Sequence, residues 1–270
     1  MGRTKRTLVV VAFTLVSCSS QVVPAATPTT RSVVLRLYAT TAVIPLANEL
    51  TSSYSQRFPT TTFDVQTGNY ASVVEQVMRE DHAYFISNHL PADSTLWAAP
   101  IGQDGIAVIV HPDNKIANLT TEQLRDIYQG RVASWQTLGG PARTIDVISR
   151  EDGSGTRAEF ERLVMGDRRT TRSAQIAPSS AAMVLSVSRG AGAIGYVSMS
   201  YLNAGVRSVD VDGTAPTLEN VVGNSYPLRS TIFIIGLTEP QNDFRAFVGW
   251  VQSPEGQAVV ARDYAPIARP

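Results

Sequence analysis

The chain has 270 residues, of which 43% are hydrophobic and 17% charged, as in an ordinary globular protein. This length suits one large domain or two lobes of about 100 to 150 residues each. Lysine and arginine together number 23, as do aspartate and glutamate, so the formal net charge is zero. The balance argues against a nucleic-acid-binding protein and against a disordered acidic chain, so any recognition of an anion must be local.

The N-terminus has the pattern of an export signal. Three basic residues among the first six precede the apolar stretch LVVVAFTLV at 8–16, which is too short for a stable transmembrane helix. The following LVSC ends at Cys18, the single cysteine, and resembles a bacterial lipobox. We predict a lipoprotein signal peptide over 1–17, a lipid on Cys18 and anchoring to the outer face of the cell membrane. A secretory signal followed by an unmodified cysteine is the alternative.

The next segment predicts a tether. Residues 18–31 are rich in serine, threonine, proline and alanine, a composition typical of a flexible linker. The single cysteine also excludes an intrachain disulfide.

From residue 32 onward, strand and helix patterns alternate. SVVLRLYA at 32–39, TTFDVQ at 61–66 and AYFIS at 83–87 read as strands, and helical periodicity separates them at 40–58 and 70–81. This order predicts a mostly parallel sheet with helices on both faces.

The rest of the chain continues the alternation. Further strands are predicted at 105–112, 144–149, 193–199, 206–213 and 230–236. Helices are predicted at 118–130, 156–164 and within 241–263.

The stretch SREDGSGTR at 149–157 connects a predicted strand to a predicted helix. Gly153 and Gly155 let the backbone approach a ligand closely. The first amides of the helix have no partner inside it, so they can converge on an oxyanion together with the hydroxyls of Ser154 and Thr156.

Charged residues of the same stretch favour an anion site. Arg150 offers a planar fork that can hold two oxygens of a tetrahedral anion, and Asp152 is close enough to orient that fork. The alternative is an ordinary turn in which Ser154 or Thr156 only caps the helix. The stretch matches neither a phosphate-binding P-loop, nor a nucleophile elbow, nor a dinucleotide fingerprint.

Several segments in order resemble the substrate-binding proteins of bacterial phosphate ABC importers, over nearly all of 32–270. They are SREDGSGTR, DGIAVIVHPDN, NLTTEQLRDIYQGRVASWQTLGG, GAIGYVSMSYL, YPLRSTIFII and SPEGQAVVARDYAPI. The resemblance implies an α/β fold of the two-lobed type II periplasmic-binding-protein class, with a ligand cleft between the lobes. Lobe one would hold 32–110 and 231–270, and lobe two 111–230.

The resemblance also implies ligands from lobe one. ATTAVIPL at 39–46 is similar to the first phosphate loop of the family, so Thr40 and Thr41 would offer hydroxyls and Ala42 its amide. Thr41 as a mere helix cap is the alternative. The binding serine of the second helix falls at Tyr70 or Ala71, with Ser72 close behind, and this departure puts that contact in doubt.

A second departure concerns specificity. Many phosphate binders carry an aspartate where this chain has Asn88. An ionised carboxylate can only accept hydrogen bonds and repels fully deprotonated sulfate, whereas an amide can donate or accept. We therefore expect weaker discrimination between phosphate and sulfate than in related proteins.

The resulting hypothesis is a monomeric, lipid-anchored receptor that binds inorganic phosphate and delivers it to the permease subunits of an ABC importer. It predicts no cofactor, no metal, no nucleic acid and no chemistry on the ligand. The alternatives are a binding module for another oxyanion or a phosphate sensor on the same fold, and a secreted phosphatase. A phosphatase needs a metal cluster or an activated nucleophile, and the three histidines are scattered.

Overall fold

The computed structural model describes residues 1–2, 32–80 and 82–267. The predicted cleavage site, Cys18 and the tether lie outside the described residues. Among the helices that are described, none combines the length and the apolar character needed to cross a membrane.

The described chain alternates strands and helices. The strands are β1 (Val33–Thr40), β2 (Thr61–Gly68), β3 (Tyr84–Ser87), β4 (Trp97–Val110), β5 (Asn118–Leu119), β6 (Asp146–Arg150), β7 (Gln175–Ala177), β8 (Ala193–Ser198), β9 (Arg207–Val211), β10 (Arg229–Gly236) and β11 (Ala265–Pro266). The helices are α1 (Ile44–Arg57), α2 (Tyr70–Val77), α3 (Thr121–Tyr128), α4 (Gly155–Phe160), α5 (Ser180–Arg189), α6 (Leu218–Val222), α7 (Asn242–Val251) and α8 (Pro254–Val260). A π-helical turn, Glu161–Met165, continues α4.

The strands form one mixed sheet with the order β2-β1-β3-β10-β4-β8-β6-β7. As predicted from the strand–helix alternation, β1 runs parallel to β2 and β3, and β6 runs parallel to β7 and β8. The prediction of a mostly parallel sheet is wrong for the centre, where β10 is antiparallel to β3 and β4, and β4 is antiparallel to β8. The reason is that β4 follows β3 without a crossover helix, and β10 returns to the sheet in the opposite direction.

The long strand β4 belongs to two hydrophobic cores. From Trp97 to Gly105 it pairs with β10, and from Ile106 to Val110 it pairs with β8. Ile101 packs in a first core with α1, α7 and α8, while Ile106 packs in a second core with α3 and α4. We call the parts of the chain around these cores lobe one and lobe two.

The second half of β4 has both of its faces covered. Ile106 and Val108 lie in one apolar cluster, and Ala107 and Ile109 lie in another on the opposite face. This explains the nearly continuous apolar run of that strand. These residues pack in lobe two, although the sequence prediction places 32–110 in lobe one.

Packing of α1 fixes the start of that helix relative to the sheet. Its buried face includes Leu46, Leu50 and Tyr54, at the spacing of one helix face. The Tyr54 ring lies edge-on to Phe247 and Trp250, with centroid distances of 5.1 and 5.3 Å. The loop between β1 and α1 is therefore held at the carboxyl end of β1.

A buried carboxyl lies where β4 passes from one core to the other. Asp104 is 1% exposed, and neither of its oxygens has a hydrogen bond of normal geometry. Burial raises the pKa of Asp104 to about 7, although the nearby Ser198 hydroxyl and the Met199 and Gly105 amides lower it. Its cross-strand neighbour Ser230 also has a buried hydroxyl without a hydrogen-bond partner.

This burial predicts a pH-dependent stability difference between the wild type and Asp104→Asn. The Asp104 pKa is about 7 in the folded protein and about 3.9 in an unfolded chain. The stability that the protonated Asp104 carboxyl contributes to the wild type is therefore fully present below about pH 4. It is lost as the carboxyl ionises while the pH rises to about 7. The free energy of unfolding of the wild type, relative to the variant, should fall by a few kcal/mol across that range. Urea unfolding of both proteins at pH 4.5, 6 and 8 measures this, and a constant difference would contradict it.

Candidate functional site

The candidate site lies where strand ends from the two lobes meet. In lobe one, β1 ends at Thr40 and β3 at Ser87, so the loops after these parallel strands lie at one edge of the sheet. In lobe two, β6 ends at Arg150, and α4 begins five residues later. Ligands of open α/β sheets commonly bind at such carboxyl ends.

Arg150 joins the two lobes. Its side chain is 1% exposed, and Nη2 donates to Oγ1 of Thr41 at 2.9 Å. Nη1 donates to the Ser180 hydroxyl at 3.3 Å, and Nε donates to the Ala177 carbonyl at 3.1 Å. The edge of the guanidinium formed by the two Nη atoms therefore faces hydroxyl groups of both lobes.

Glu151 supplies the countercharge. Its carboxylate accepts from Nε of Arg150 at 2.9 Å and from Nη2 at 3.0 Å. This bidentate pair holds the neighbouring edge of the guanidinium, formed by Nε and Nη2, and fixes its plane. A buried cation without such a partner would be strongly destabilising.

The predicted orienting role of Asp152 is wrong. Its carboxylate accepts from Nη1 of Arg157 at 2.6 Å, and its side chain is 95% exposed. The side chain at 152 projects into solvent, and the adjacent Glu151 makes the contact with Arg150 instead.

The loop after β6 approaches lobe one closely. Gly153 has a φ of +82°, which favours glycine, and its carbonyl accepts from the Ala71 amide of lobe one at 3.1 Å. A Cβ on Gly155 would lie 2.9 Å from Cβ of His89 and 3.5 Å from Oδ1 of Asn88. A larger residue at 155 would therefore separate the lobes.

The start of α4 carries two buried hydroxyls. Ser154 caps the helix, because its Oγ accepts from the Arg157 amide at 3.3 Å, and its hydrogen is still available to another acceptor. Ser154 is 4% exposed and Thr156 is 2% exposed. Ser154 thus caps α4, and capping leaves its hydroxyl able to donate to a ligand.

Lobe one contributes buried polar groups as well. Thr40 is 3% exposed, its Oγ1 has no hydrogen-bond partner, and Ala42 is fully buried. The capping alternative for Thr41 is wrong, since Val43 holds the cap position of α1 without a side-chain cap. The Thr41 carbonyl accepts from the Tyr201 hydroxyl of lobe two at 2.5 Å.

Asn88 is the other buried polar side chain of lobe one. It is 1% exposed, and neither its Oδ1 nor its Nδ2 has a hydrogen-bond partner. Because unsatisfied buried amides are costly, these atoms and the Thr40 hydroxyl point to a polar ligand in the cleft.

Tyr70 and Ser72 have structural contacts instead. The Tyr70 ring packs against His89 at 4.7 Å and against Phe85 at 5.9 Å between ring centroids. The Ser72 hydroxyl donates to the Asn69 carbonyl at 3.0 Å, and its amide donates to the Asn69 side chain that caps α2.

The arrangement suits the binding of a small anion. One guanidinium, several hydroxyls, an amide side chain and helix amides surround the cleft, all of which can donate hydrogen bonds. Within residues 32–80 and 82–267, no three histidine, cysteine or acidic side chains are grouped as a metal site.

Comparison with protein families matches residues 24–255 to the model of a PBP superfamily domain. The chain belongs to the PBP superfamily. The match covers most of the chain and includes every residue described above for the site.

The curated relatives of this PBP superfamily chain include phosphate-binding proteins named PstS. The Bacillus subtilis (strain 168) protein is 28% identical over 166 residues, which cover 60% of this chain and 55% of the relative. The Pseudomonas aeruginosa protein is 31% identical over 195 residues, covering 63% of this chain and 60% of the relative. The matches thus span little more than half the length of these relatives.

Solved structures of the PBP superfamily confirm the fold. A Clostridium perfringens protein with bound phosphate, provisionally named a phosphate ABC transporter substrate-binding protein, has a TM-score of 0.82 at 29% identity. The superposition covers 87% of this chain and 100% of that chain. An ABC-type phosphate transport receptor from Vibrio cholerae has a TM-score of 0.71 at 23% identity, over 87% and 100% of the two chains. The two-lobed type II fold predicted from the sequence is confirmed.

Several residues of the site were not foreseen from sequence. Glu151 lies inside the 149–157 motif, but the choice between the neighbouring acids Glu151 and Asp152 depends on side-chain direction. Ser180 and Tyr201 follow Arg150 by 30 and 51 residues in the chain. In the fold, Ser180 contacts Arg150 and Tyr201 contacts Thr41. Their local sequences give no signal beyond a helix start and a tyrosine after β8.

The contrast between the two acids gives a prediction. Glu151→Ala leaves the buried guanidinium of Arg150 without its carboxylate, so the free energy of unfolding should fall by about 2–4 kcal/mol. Asp152→Ala removes an exposed carboxylate and should change it by less than about 1 kcal/mol. Urea unfolding without added anion measures both variants. Equal losses, or a larger loss for Asp152→Ala, would contradict this account of the site.

Proposed function

We propose that this protein is an extracytoplasmic receptor that binds inorganic phosphate and delivers it to the permease of an ABC importer. The observation that carries the proposal is the contact between Arg150 of lobe two and Thr41 of lobe one, 2.9 Å across the cleft. The names of the PstS relatives and the bound phosphate of the Clostridium perfringens structure support the same ligand.

The chemistry of the cleft favours an anion with several oxygens. The guanidinium edge of Arg150 can hold two oxygens, and Thr41, Ser154 and Thr156 can donate to the others. The amides at the start of α4 and of α1, including that of Ala42, add fixed positive partial charge. A tetrahedral oxyanion would satisfy the buried groups of Thr40 and Asn88 that have no hydrogen-bond partner.

Binding is proposed to close the two lobes like a hinge. In this proposal lobe one is 32–105 with 231–270 and lobe two is 106–230, so the first crossing lies inside β4, between Ile101 and Ile106. Closure excludes water, which strengthens charge-assisted hydrogen bonds to the anion. An affinity of about −8 kcal/mol, near micromolar, would suit a scavenging receptor.

We further propose that the receptor acts outside the cell membrane as a monomer. Export by the 1–17 signal, lipidation of Cys18 and the tether at 18–31 would place the cleft near a membrane permease. The lipid is testable by intact-mass measurement of the membrane-extracted protein.

The protein is proposed to do no chemistry on phosphate, in line with relatives named as binding proteins. A second candidate, a receptor or sensor for another oxyanion on the same fold, is favoured by the neutral side chain of Asn88 in the cleft. Release of phosphate from a chromogenic ester would instead favour the phosphatase alternative.

The central prediction concerns Arg150. The wild type should bind phosphate in calorimetry, and Arg150→Ala should weaken binding by at least about a hundredfold, because two charge-assisted hydrogen bonds are lost. Arg150→Lys keeps the charge but not the fork and should also bind more weakly than the wild type.

Titrations with phosphate, sulfate, arsenate and molybdate identify the preferred anion, and circular dichroism checks that each variant is folded. Unchanged phosphate affinity in folded Arg150→Ala would contradict the proposed site.

A separate prediction concerns anion discrimination at Asn88. Phosphate keeps a proton near neutral pH and can donate it, whereas sulfate has none to donate. Asn88→Asp should therefore raise the ratio of the sulfate Kd to the phosphate Kd by about tenfold or more, through repulsion of sulfate. Asn88→Ala is the matched control, since it removes the amide without adding a charge. The idea fails if the aspartate variant discriminates no better than the wild type.

A further inference from the structure

The lobes also meet through a histidine and a glutamate that are not among the residues proposed to contact the anion. Nδ1 of His89, in lobe one, lies 2.8 Å from Oε1 of Glu159, in lobe two. Because an ionised carboxylate can only accept, the ring nitrogen is the donor. The His89 side chain is 15% exposed and that of Glu159 is 7% exposed, so the contact is largely shielded from water.

This contact is connected to the anion loop through α4. Gly155 and Glu159 are four residues apart and lie on the same face of the helix. A Cβ on Gly155 would lie 2.9 Å from Cβ of His89, so the missing side chain lets this face approach lobe one. On the other side, His89 directly follows Asn88, and its ring packs edge-on to Tyr70. Glu159 is therefore one helix turn from Gly155, and His89 is next to Asn88 in the chain. Gly155 and Asn88 both belong to the proposed anion site.

Glu159 has two partners of different kinds. Burial alone would raise the pKa of Glu159, but hydrogen bonds from His89 and Arg162 outweigh it and hold the pKa below its usual value. Arg162 donates to Oε2 at 2.6 Å from the same helical segment, so this pair lies within lobe two. Among the described residues, the hydrogen bond with His89 is the only one that joins the Glu159 side chain to lobe one.

We infer that the His89–Glu159 hydrogen bond is a closure latch, formed when the lobes close on the anion and broken when they open. The latch rests on the proposed function, and it makes both residues positioning residues for anion binding. A hydrogen bond is lost once donor and acceptor separate by much more than 3 Å, so even a small opening breaks it. The Glu159–Arg162 pair stays intact in both states because it does not span the cleft.

A double-mutant cycle tests the latch. His89→Ala, Glu159→Ala and the double variant are titrated with inorganic phosphate, and binding kinetics are measured by stopped flow. Each single substitution should weaken phosphate binding about tenfold, and the double variant should be little worse than either one. The loss should appear in the dissociation rate, since the latch forms after the anion has entered.

The control cycle uses Arg162→Ala with Glu159→Ala. This pair shares the same carboxylate but lies within one lobe, so it should show coupling in urea unfolding and none in phosphate binding. Glu159→Gln replaces Glu159→Ala if the latter does not fold.

The outcomes separate the two hypotheses. Additive effects of His89→Ala and Glu159→Ala on phosphate affinity, in a protein whose wild type binds phosphate, would overturn the latch alone. A wild type that does not bind phosphate would overturn the proposed function, and the anion latch with it.

Discussion

A guanidinium that is almost entirely removed from water needs hydrogen-bond acceptors around its whole edge, and Arg150 finds them in two lobes. Glu151 and the Ala177 carbonyl hold it from its own lobe, while Thr41 reaches it from the other. The pairing with Glu151 makes the burial tolerable, because an unpaired buried charge costs several kcal/mol. The edge that faces Thr41 and Ser180 stays turned toward the cleft, where a tetrahedral anion would add its own negative charge.

The architecture that permits this meeting depends on one strand. β4 pairs with β10 in one half and with β8 in the other, so both cores share a continuous backbone. Asp104 lies at the change-over, buried and without a hydrogen bond of normal geometry. Ionising this carboxyl is costly because it is removed from water, so the crossing between the lobes carries a group whose charged form destabilises the fold.

Helix α4 connects the proposed anion site with the contact between the lobes. Its first turn carries Ser154 and Thr156, and one turn later Glu159 contacts His89. Glycine at 155 is required by the same geometry, since any side chain there would meet lobe one. A helix that both donates to the anion and packs on the opposite lobe allows ligand binding and lobe closure to stabilise each other.

Local periodicity and backbone chemistry predicted most of the helices and strands, the strand–loop–helix context of the 149–157 motif and the residue types that suit an anion, although not α5 or the first half of β4. This motif also supplied Arg150 as a candidate and family resemblance supplied Thr41, and these two side chains are in contact in the fold. Only the tertiary structure decided that Glu151 rather than Asp152 holds Arg150, that the centre of the sheet is antiparallel, and that His89 meets Glu159. Those outcomes depend on side-chain direction and on contacts between residues far apart in the chain, such as Tyr84 with Gly236 and His89 with Glu159, which no local pattern specifies.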